Sequence, residues 1–212
     1  MSKKDLKILV CGSAESGKTS ILRRFMEDTF TDDYIPTLFH TQTLHTVTTK
    51  NGESIRIIFL DTDGKRSYEK YSVPFFYGIV AGIVVYDISD QTSVESVKEA
   101  FENFQAYCYN VLTVLVGNKC DKERAVNRTD MEEFAKKQNI LHFETSAKTN
   151  TNVREMIMSI LDQLVKGTGN EINDTVEKPQ TVEKSKTGEK IQTVEKHQMV
   201  EKSETSRCCV IS

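Results

Sequence analysis

Residues 12–20 read Gly12-Ser13-Ala14-Glu15-Ser16-Gly17-Lys18-Thr19-Ser20, and this stretch decides the fold. It contains the pattern G-x-x-x-x-G-K-[ST] between a strand-like apolar run at residues 6–11 and a segment with helical apolar spacing. In that setting the loop amides and the positive end of the helix bind a polyphosphate. We expect Lys18 to reach the β- and γ-phosphates and the Thr19 hydroxyl to bind Mg²⁺.

Apolar segments alternate with polar turns on both sides of this loop, as far as residue 166. Strands are expected at residues 6–11, 41–49, 54–61, 79–86, 111–116 and 140–143. Helical spacing follows the first strand and recurs at residues 94–108 and 153–164. Asn51-Gly52 between the second and third strands is typical of a tight antiparallel hairpin. We therefore predict an α/β, P-loop NTPase fold: a six-stranded, mostly parallel sheet with one antiparallel edge hairpin and helices on both faces.

A second motif, Asn118-Lys119-Cys120-Asp121, directly follows one of the predicted buried strands. Ligands of open α/β sheets bind at this end of the strands. A carboxylate there accepts hydrogen bonds from guanine N1–H and N2–H₂, whereas adenine would leave it unpaired. Thr145-Ser146-Ala147-Lys148 follows the sixth strand and could close over the base edge through backbone N–H groups. The motif is weak alone, but after a P-loop it predicts GTP and GDP as ligands.

The third strand ends in Asp61-Thr62-Asp63-Gly64, which predicts the metal side of the same site. Asp61 is expected to hold Mg²⁺ through water, and the Gly64 amide to face a γ-phosphate. Thr37, on the loop before the second strand, would complete the Mg²⁺ shell only when a γ-phosphate is present. That dependence predicts an order–disorder switch.

Four motifs in this order resemble the Ras superfamily of small GTPases, over about residues 5–166. The stretches 75–89, 116–121 and 144–148 look most like the Rab branch. The resemblance implies guanine-nucleotide exchange, GTP hydrolysis and regulation of vesicle or membrane traffic by a small GTPase domain at residues 1–166. It also implies that Phe30 packs against guanine and that Lys119 lies along the base. The predicted nucleotide-binding residues are Ser13, Ala14, Glu15, Ser16, Gly17, Lys18, Thr19, Ser20, Phe30, Tyr34, Thr37, Gly64, Asn118, Lys119, Asp121, Ser146, Ala147 and Lys148.

The chain departs from that family at several positions. Phe39-His40-Thr41-Gln42 and Leu60 replace aromatics that Rab proteins commonly use to dock effectors, so the resemblance does not carry effector identity. Glu15 gives a loop like that of heterotrimeric α-subunits, which should preserve nucleotide binding. His40 and His45 lie in an edge-strand region without nearby acids or cysteines at ligand spacing, so we expect exposed structural histidines rather than a metal site.

Lys65 is the largest departure, because the family has its catalytic Gln there. Lysine has three donors and no acceptor, so it cannot accept a hydrogen bond from the attacking water. We expect Lys18, Thr37, Gly64 and Lys65 to form the catalytic set, with slow intrinsic hydrolysis. A GTP-locked binding module without turnover and a Ras-like signalling switch remain alternatives. An ATP-using P-loop kinase is opposed by the base motif.

Residues 167–212 contain no aromatic residue and repeat a hexapeptide, with Thr-Val-Glu-Lys at positions 175, 181 and 193 and variants at 187 and 199. The period of six fits no helix, and a hexapeptide β-helix needs a larger core than one valine per turn. We predict a disordered tail. Its end, Cys208-Cys209-Val210-Ile211-Ser212, fits a C-a-a-X lipidation motif that modifies Cys209, with Cys208 available for a second lipid.

Composition narrows the remaining classes. The net charge of −3 gives no support for nucleic-acid binding, and five scattered cysteines favour reduced thiols. Neither a signal peptide nor a membrane span is expected. We expect a lipid-anchored protein on the cytoplasmic face of an intracellular or plasma membrane, with a soluble cytosolic pool. The resemblance implies an exchange factor, a GTPase-activating protein, effector proteins and a prenyl-chaperone as partners.

Overall fold

A seven-stranded sheet lies at the centre of the computed structural model. The structure describes residues 5–33, 35–38, 40–49, 54–64, 73–109, 111–166 and 172–176. The strands are β1 (Leu6–Gly12), β2 (Thr41–Thr49), β3 (Ser54–Asp61), β4 (Ile79–Asp87), β5 (Leu112–Asn118), β6 (Leu141–Glu144) and β7 (Ile172–Val176). Their order is β6-β5-β4-β1-β3-β2-β7, and β2 pairs antiparallel with both of its neighbours. The pairs that join β6, β5, β4, β1 and β3 are parallel.

Helices cover both faces of this sheet. They are α1 (Lys18–Glu27), α2 (Ser93–Tyr107), α3 (Arg128–Lys137) and α4 (Val153–Lys166). Buried residues of α1 and α4 form one core with one face of the strands, and those of α2 and α3 form a second core with the other face. Alternate residues of β1 enter the two cores, since Ile8 and Val10 belong to the first and Leu9 and Cys11 to the second. Among the helices of the described residues, none combines the length and apolar character needed to cross a membrane.

The predicted α/β class is confirmed, with all six predicted strands and the three predicted helical segments at their expected places. The β2–β3 pair is antiparallel with Thr48 opposite Ser54, although Asn51-Gly52 lie outside the described residues. Helix α3 was not predicted. Its buried stripe consists of only Met131 and Ala135, and its clearest signal is Asn127, whose side chain caps the helix by accepting a hydrogen bond from Thr129 N.

Strand β7 is the main difference from the predicted fold, because it lies in the segment expected to be a disordered tail. Val176 pairs with Val47 and Thr175 with Thr48 of β2. The outer edge of β2 offers a row of backbone donors and acceptors, and such an edge templates a further strand with little demand on its sequence. All described residues lie in one compact unit, Met1–Val182. The remainder of the predicted tail falls outside the described residues.

The expectation that His45 is exposed is wrong. The residue is 1% exposed and packs edge-on against Phe25 of α1, with ring centroids 5.2 Å apart. Along β2, His45 and Val47 share the face that α1 and α4 cover, so the side-chain alternation of a strand buries both. Neither ring nitrogen has a hydrogen-bond partner. Burial, aided by the charge of Arg154, lowers the pKa of His45. His40 is exposed, as expected.

Candidate nucleotide and magnesium site

The carboxyl ends of the parallel strands meet at one edge of the sheet and surround a cavity of about 220 Å³. The predicted residues that line it are Glu15, Gly17, Lys18, Thr19, Ser20, Phe30, Thr37, Asn118, Lys119, Asp121, Ala147 and Lys148. The cavity is also lined by Thr62 and Asp63 of the third motif, and by residues that the sequence did not indicate: Arg23, Thr31, Asp32, Asp33, Ile35 and Lys122. Motifs that are far apart in the chain thus share one cavity.

The predicted phosphate-binding loop at residues 12–20 lies between β4 and the Asn118 motif. The Ser13 amide donates to the Val85 carbonyl at 3.0 Å, and the Ser16 hydroxyl donates to the Ser13 carbonyl at 2.8 Å. Gly12 (φ 124°) has a backbone conformation that side chains rarely adopt, and a Cβ there would overlap the backbone of Val85. Because the loop lies so close to β4, glycine is required at that position. Ala14 and Glu15 are exposed, while Ser13 and Ser16 are buried.

Lys18 is buried at the centre of the loop. Its Nζ donates to the Ser13 carbonyl at 2.7 Å. Burial lowers the pKa of Lys18, and the nearby Asp61 carboxylate opposes that effect. A Cβ on Gly64 (φ 72°) would overlap the Lys18 ammonium, so the segment that follows β3 lies directly against the lysine. The two groups expected to face the terminal phosphate are therefore adjacent.

The three predicted Mg²⁺ ligands form a chain of oxygen atoms. Thr19 Oγ1 donates to Asp61 Oδ2 at 2.5 Å and lies 3.0 Å from Thr37 Oγ1. Asp61 is 2% exposed, and its Oδ1 is buried without a hydrogen-bond partner. Burial raises the pKa of Asp61 to about 6, despite the Thr19 hydrogen bond and the Lys18 charge. A buried carboxylate oxygen without a partner, beside two hydroxyls, fits a hard cation with oxygen ligands such as Mg²⁺.

Asn118 links the base end of the cavity to the phosphate-binding loop. Its Nδ2 donates to the Ser16 carbonyl at 2.8 Å, and its Oδ1 accepts from Thr145 Oγ1 at 3.2 Å and from the Ala147 amide at 3.3 Å. Asp121 Oδ1 accepts a hydrogen bond from Ser146 Oγ at 2.5 Å, which fixes the carboxylate beside the same loop. Asn118 and Asp121, the expected base contacts, are therefore both hydrogen-bonded to the loop after β6.

Asp87 and Arg24 support this end of the cavity, although the sequence did not single them out. The Asp87 carboxylate pairs with Lys119 Nζ at 2.6 Å, and Lys119 has a left-handed backbone (φ 66°). Burial would raise the pKa of Asp87, but hydrogen bonds from Lys119 and Ser89 outweigh it and the pKa is lowered. Arg24 Nε donates to the Ala147 carbonyl at 2.8 Å. Asp87 could have been noticed as an acid that ends a buried strand beside β1.

Phe30 and Lys148 lie where the base is expected to enter. Phe30 is half-buried against the core formed with α1 and α4. Lys148 Nζ forms an exposed ion pair with Asp32 at 2.9 Å, which joins the loop after β6 to the loop after α1. Tyr34, Lys65, Cys208 and Cys209 lie outside the described residues.

Comparisons with known proteins agree with this arrangement. A family model described as the Ras family matches residues 7–166. The chain is 35% identical over 179 residues to the Ras-related protein Rab-13 of Rattus norvegicus, an alignment that covers 82% of this chain and 86% of that protein. It is 33% identical over 178 residues to the GTP-binding protein YPT1 of Saccharomyces cerevisiae, with the same coverage of 82% and 86%.

Proposed function

The chain belongs to the Ras family, and from that premise we propose that it is a Rab-like GTP-hydrolysing switch of vesicle traffic with slow intrinsic hydrolysis. Members of the family bind GTP and GDP, generally with Mg²⁺, and hydrolyse GTP. The similarity to Rab-13 and YPT1 supports the Rab-like assignment. The proposal concerns the substrate preference, the rate and the cellular role of this particular chain.

The cluster in which Ser146 donates to Asp121 and the Ala147 amide donates to Asn118 is the observation that carries the guanine preference. It holds one carboxylate at the cavity wall, where a base with two adjacent N–H donors satisfies it. Adenine lacks that pair of donors and leaves the carboxylate unpaired, which is costly in a partly buried site. Unlabelled GTP should therefore displace a fluorescent guanine nucleotide, and ATP should not. Equal displacement by both would contradict the proposal.

Roles for the phosphate end follow from the same cavity. Lys18 binds the β- and γ-phosphates, Gly64 N–H contacts the γ-phosphate, and Thr37 joins the metal shell when that phosphate is present. Thr19 would hold Mg²⁺ directly and Asp61 would hold it through water, and the ion would neutralise phosphate charge. The short Thr19–Asp61 and Thr19–Thr37 distances support this set.

Slow hydrolysis is inferred from Lys65, which stands where related enzymes carry the Gln that orients the attacking water. An ammonium donates hydrogen bonds but accepts none, so the water loses its acceptor. Single-turnover hydrolysis of bound GTP should be faster in Lys65→Gln than in wild type. Lys65→Met removes the charge without adding an acceptor and should give no such gain. Equal rates in the Gln and Met variants would rule out the missing acceptor as the cause.

A GTP-locked binding module is the second candidate, and Lys65 is the residue that favours it. A lysine that pairs with the γ-phosphate would hold GTP rather than assist its cleavage. The same single-turnover experiment separates the two candidates. Phosphate release from wild-type protein, however slow, identifies a switch, whereas none over the lifetime of the complex identifies a module.

Membrane attachment is proposed from the end of the chain. Cys208 and Cys209 would carry two lipids, and the cytoplasmic face of an intracellular or plasma membrane would be the site of action. A lipid-anchored switch that alternates between GTP and GDP would need an exchange factor, a GTPase-activating protein, effectors and a prenyl-chaperone as partners. An activating protein that supplies an arginine raises the rate by about 10³–10⁵, so it could compensate for Lys65.

A further inference from the structure

The outer edge of β2 pairs with a segment that follows α4 in the chain. On its inner side β2 pairs with β3 from Thr41 to Thr48. On its outer side Val47 pairs with Val176, Thr48 with Thr175 and Thr49 with Ile172. Backbone groups at a sheet edge accept an added strand through main-chain hydrogen bonds, so this edge can bind an extended peptide.

The paired segment contains the start of the hexapeptide repeat. Thr175-Val176-Glu177-Lys178 is its first unit, and Thr181-Val182-Glu183-Lys184 repeats it six residues later. A strand shifted by an odd number of residues turns every side chain to the opposite face, whereas an even shift preserves the faces. A shift by one unit therefore again places a valine opposite Val47 and a threonine opposite Thr48.

We propose that the β2 edge at Val47–Thr49 is a binding site for Thr-Val-Glu-Lys peptides of the chain's own tail. Thr175 and Val176 of the first unit occupy it in the structure, and Thr181 and Val182 of the second unit take the same register when the first is released. This proposal explains the six-residue period of the repeat, which suits no helix. A shift of the tail along the β2 edge by six residues keeps every side chain on the same face of the strand.

The two units are not equivalent at this edge. Ile172 stands opposite Thr49 for the first unit, whereas a shift by six residues would bring Lys178 there. The link from the end of α4 at Lys166 also becomes about twice as long. Doubling a loop costs about a factor of three in population. The first unit is therefore preferred and the second is a substitute.

Hydrogen exchange of the β2 amides in the full-length chain tests the proposal. Thr175→Pro with Val176→Pro removes both backbone donors of the bound unit, whichever of them the ladder uses. The same pair of changes at Thr181 and Val182 disables the substitute. The matched control places both prolines at Thr193 and Val194, an identical dipeptide further along the tail. Unchanged exchange in β4 and β5 verifies that each variant is folded.

We expect exchange at residues 46–49 to rise by about fourfold when only the first unit is disabled, because the second unit is about a third as populated as the first. Disabling only the second unit, or changing Thr193 and Val194, should leave it within about twofold of wild type. Disabling both units should accelerate it by tenfold or more. The readout does not involve nucleotide hydrolysis, so it is independent of the proposed function.

Three results would overturn the proposal. If the chain with both units disabled exchanges like wild type, the edge binds no tail peptide. If prolines at Thr175 and Val176 alone accelerate exchange as much as disabling both units, then only the first unit pairs with β2 and the second does not replace it. If the control at Thr193 and Val194 matches the first pair, the effect is a general one of proline in the tail.

Discussion

Asp87, for which the sequence predicted no role, orients Lys119, which is predicted to lie along the base. Its carboxylate holds Lys119 Nζ at 2.6 Å and also accepts from the Ser89 amide and hydroxyl. Lys119 also has a left-handed backbone conformation, which is uncommon for a residue other than glycine. The ion pair therefore fixes the direction of the lysine expected to lie along the base.

Asp87→Asn should loosen Lys119 and speed GDP release. Hydrogen bonds to charged groups contribute about 1.5–3 kcal/mol, so we expect GDP dissociation to accelerate by about tenfold or more. The measurement is release of a fluorescent GDP analogue under excess GDP. Asp90→Asn is the matched control, because Asp90 lies on the same turn but contacts Thr92 instead. Equal dissociation rates in the two variants would contradict a role for the Lys119 pair.

His45 is buried without a partner for either ring nitrogen, so removing its polar atoms should stabilise the fold. For His45→Leu we expect the free energy of unfolding at pH 7 to rise by about 1 kcal/mol, because a buried unpaired polar group costs about that much or more. The measurement is urea unfolding. His142→Leu is the contrasting variant, since it deprives the buried Tyr86 hydroxyl of a partner at 3.0 Å and should destabilise.

The same histidine makes stability depend on pH. Its pKa is lowered in the folded protein relative to the ordinary value of 6.5, so the unfolded chain binds the proton first. This protonation adds no penalty to folding well above pH 6.5, and the penalty grows as the pH falls below that value. The stability advantage of His45→Leu over wild type should therefore grow from pH 7.5 to pH 5.5. An advantage that is constant over this range would show that His45 does not titrate differently on unfolding.

Single residues also show which parts of the site the sequence could predict. Lys18, Thr19 and Asp121 belong to short motifs whose spacing encodes a ligand, so they were found without a structure. Asp87 and Arg24 act on those residues from distant parts of the chain, and only folding brings them close. The burial of His45 depends on which strand face the helices cover, and its local sequence does not contain that information.

At the scale of elements, the sequence was sufficient where an element buries its own apolar pattern. Strands β1, β4 and β5 have long apolar runs, and α2 and α4 have wide apolar stripes, so they were predicted. Helix α3 buries only Met131 and Ala135, which is too narrow a stripe to recognise. Strand β7 owes its conformation to the edge of β2 rather than to its own pattern. Its existence depends on a partner strand more than a hundred residues earlier.

The packing of α2 on β4 leaves no room for a side chain at Gly82. A Cβ there would overlap the ring of Phe104, which is completely buried and cannot move aside. Gly82→Ala should lower the free energy of unfolding by about 1–3 kcal/mol through overpacking. The cost should be smaller when Phe104→Leu is also present, because the shorter side chain frees space. Strictly additive effects in this double-mutant cycle would mean that the strain arises elsewhere.

At the scale of the whole molecule, the proposed membrane anchor needs two lipids. One chain gives only marginal membrane binding unless basic residues assist it. Residues 167–212 contain eight acids and seven bases, so they provide no such assistance. Intact-mass analysis of protein from its native cell should show two added lipids, and Cys208→Ser should leave one and release the protein from membranes. Unmodified cysteines in the native protein would refute the anchor.

The pairing of β7 with β2 also determines how a pull on the tail would reach the domain. Strand β7 runs antiparallel to β2, from the Thr49 end toward the Thr41 end, which lies opposite Asp61 at the cavity. Tension along this direction shears the ladder, so that its hydrogen bonds share the load. Tension away from the sheet peels the bonds apart one after another at much lower force. If the tail were anchored in a bilayer, the force needed to separate β7 from β2 would thus depend on the angle between the sheet and the bilayer.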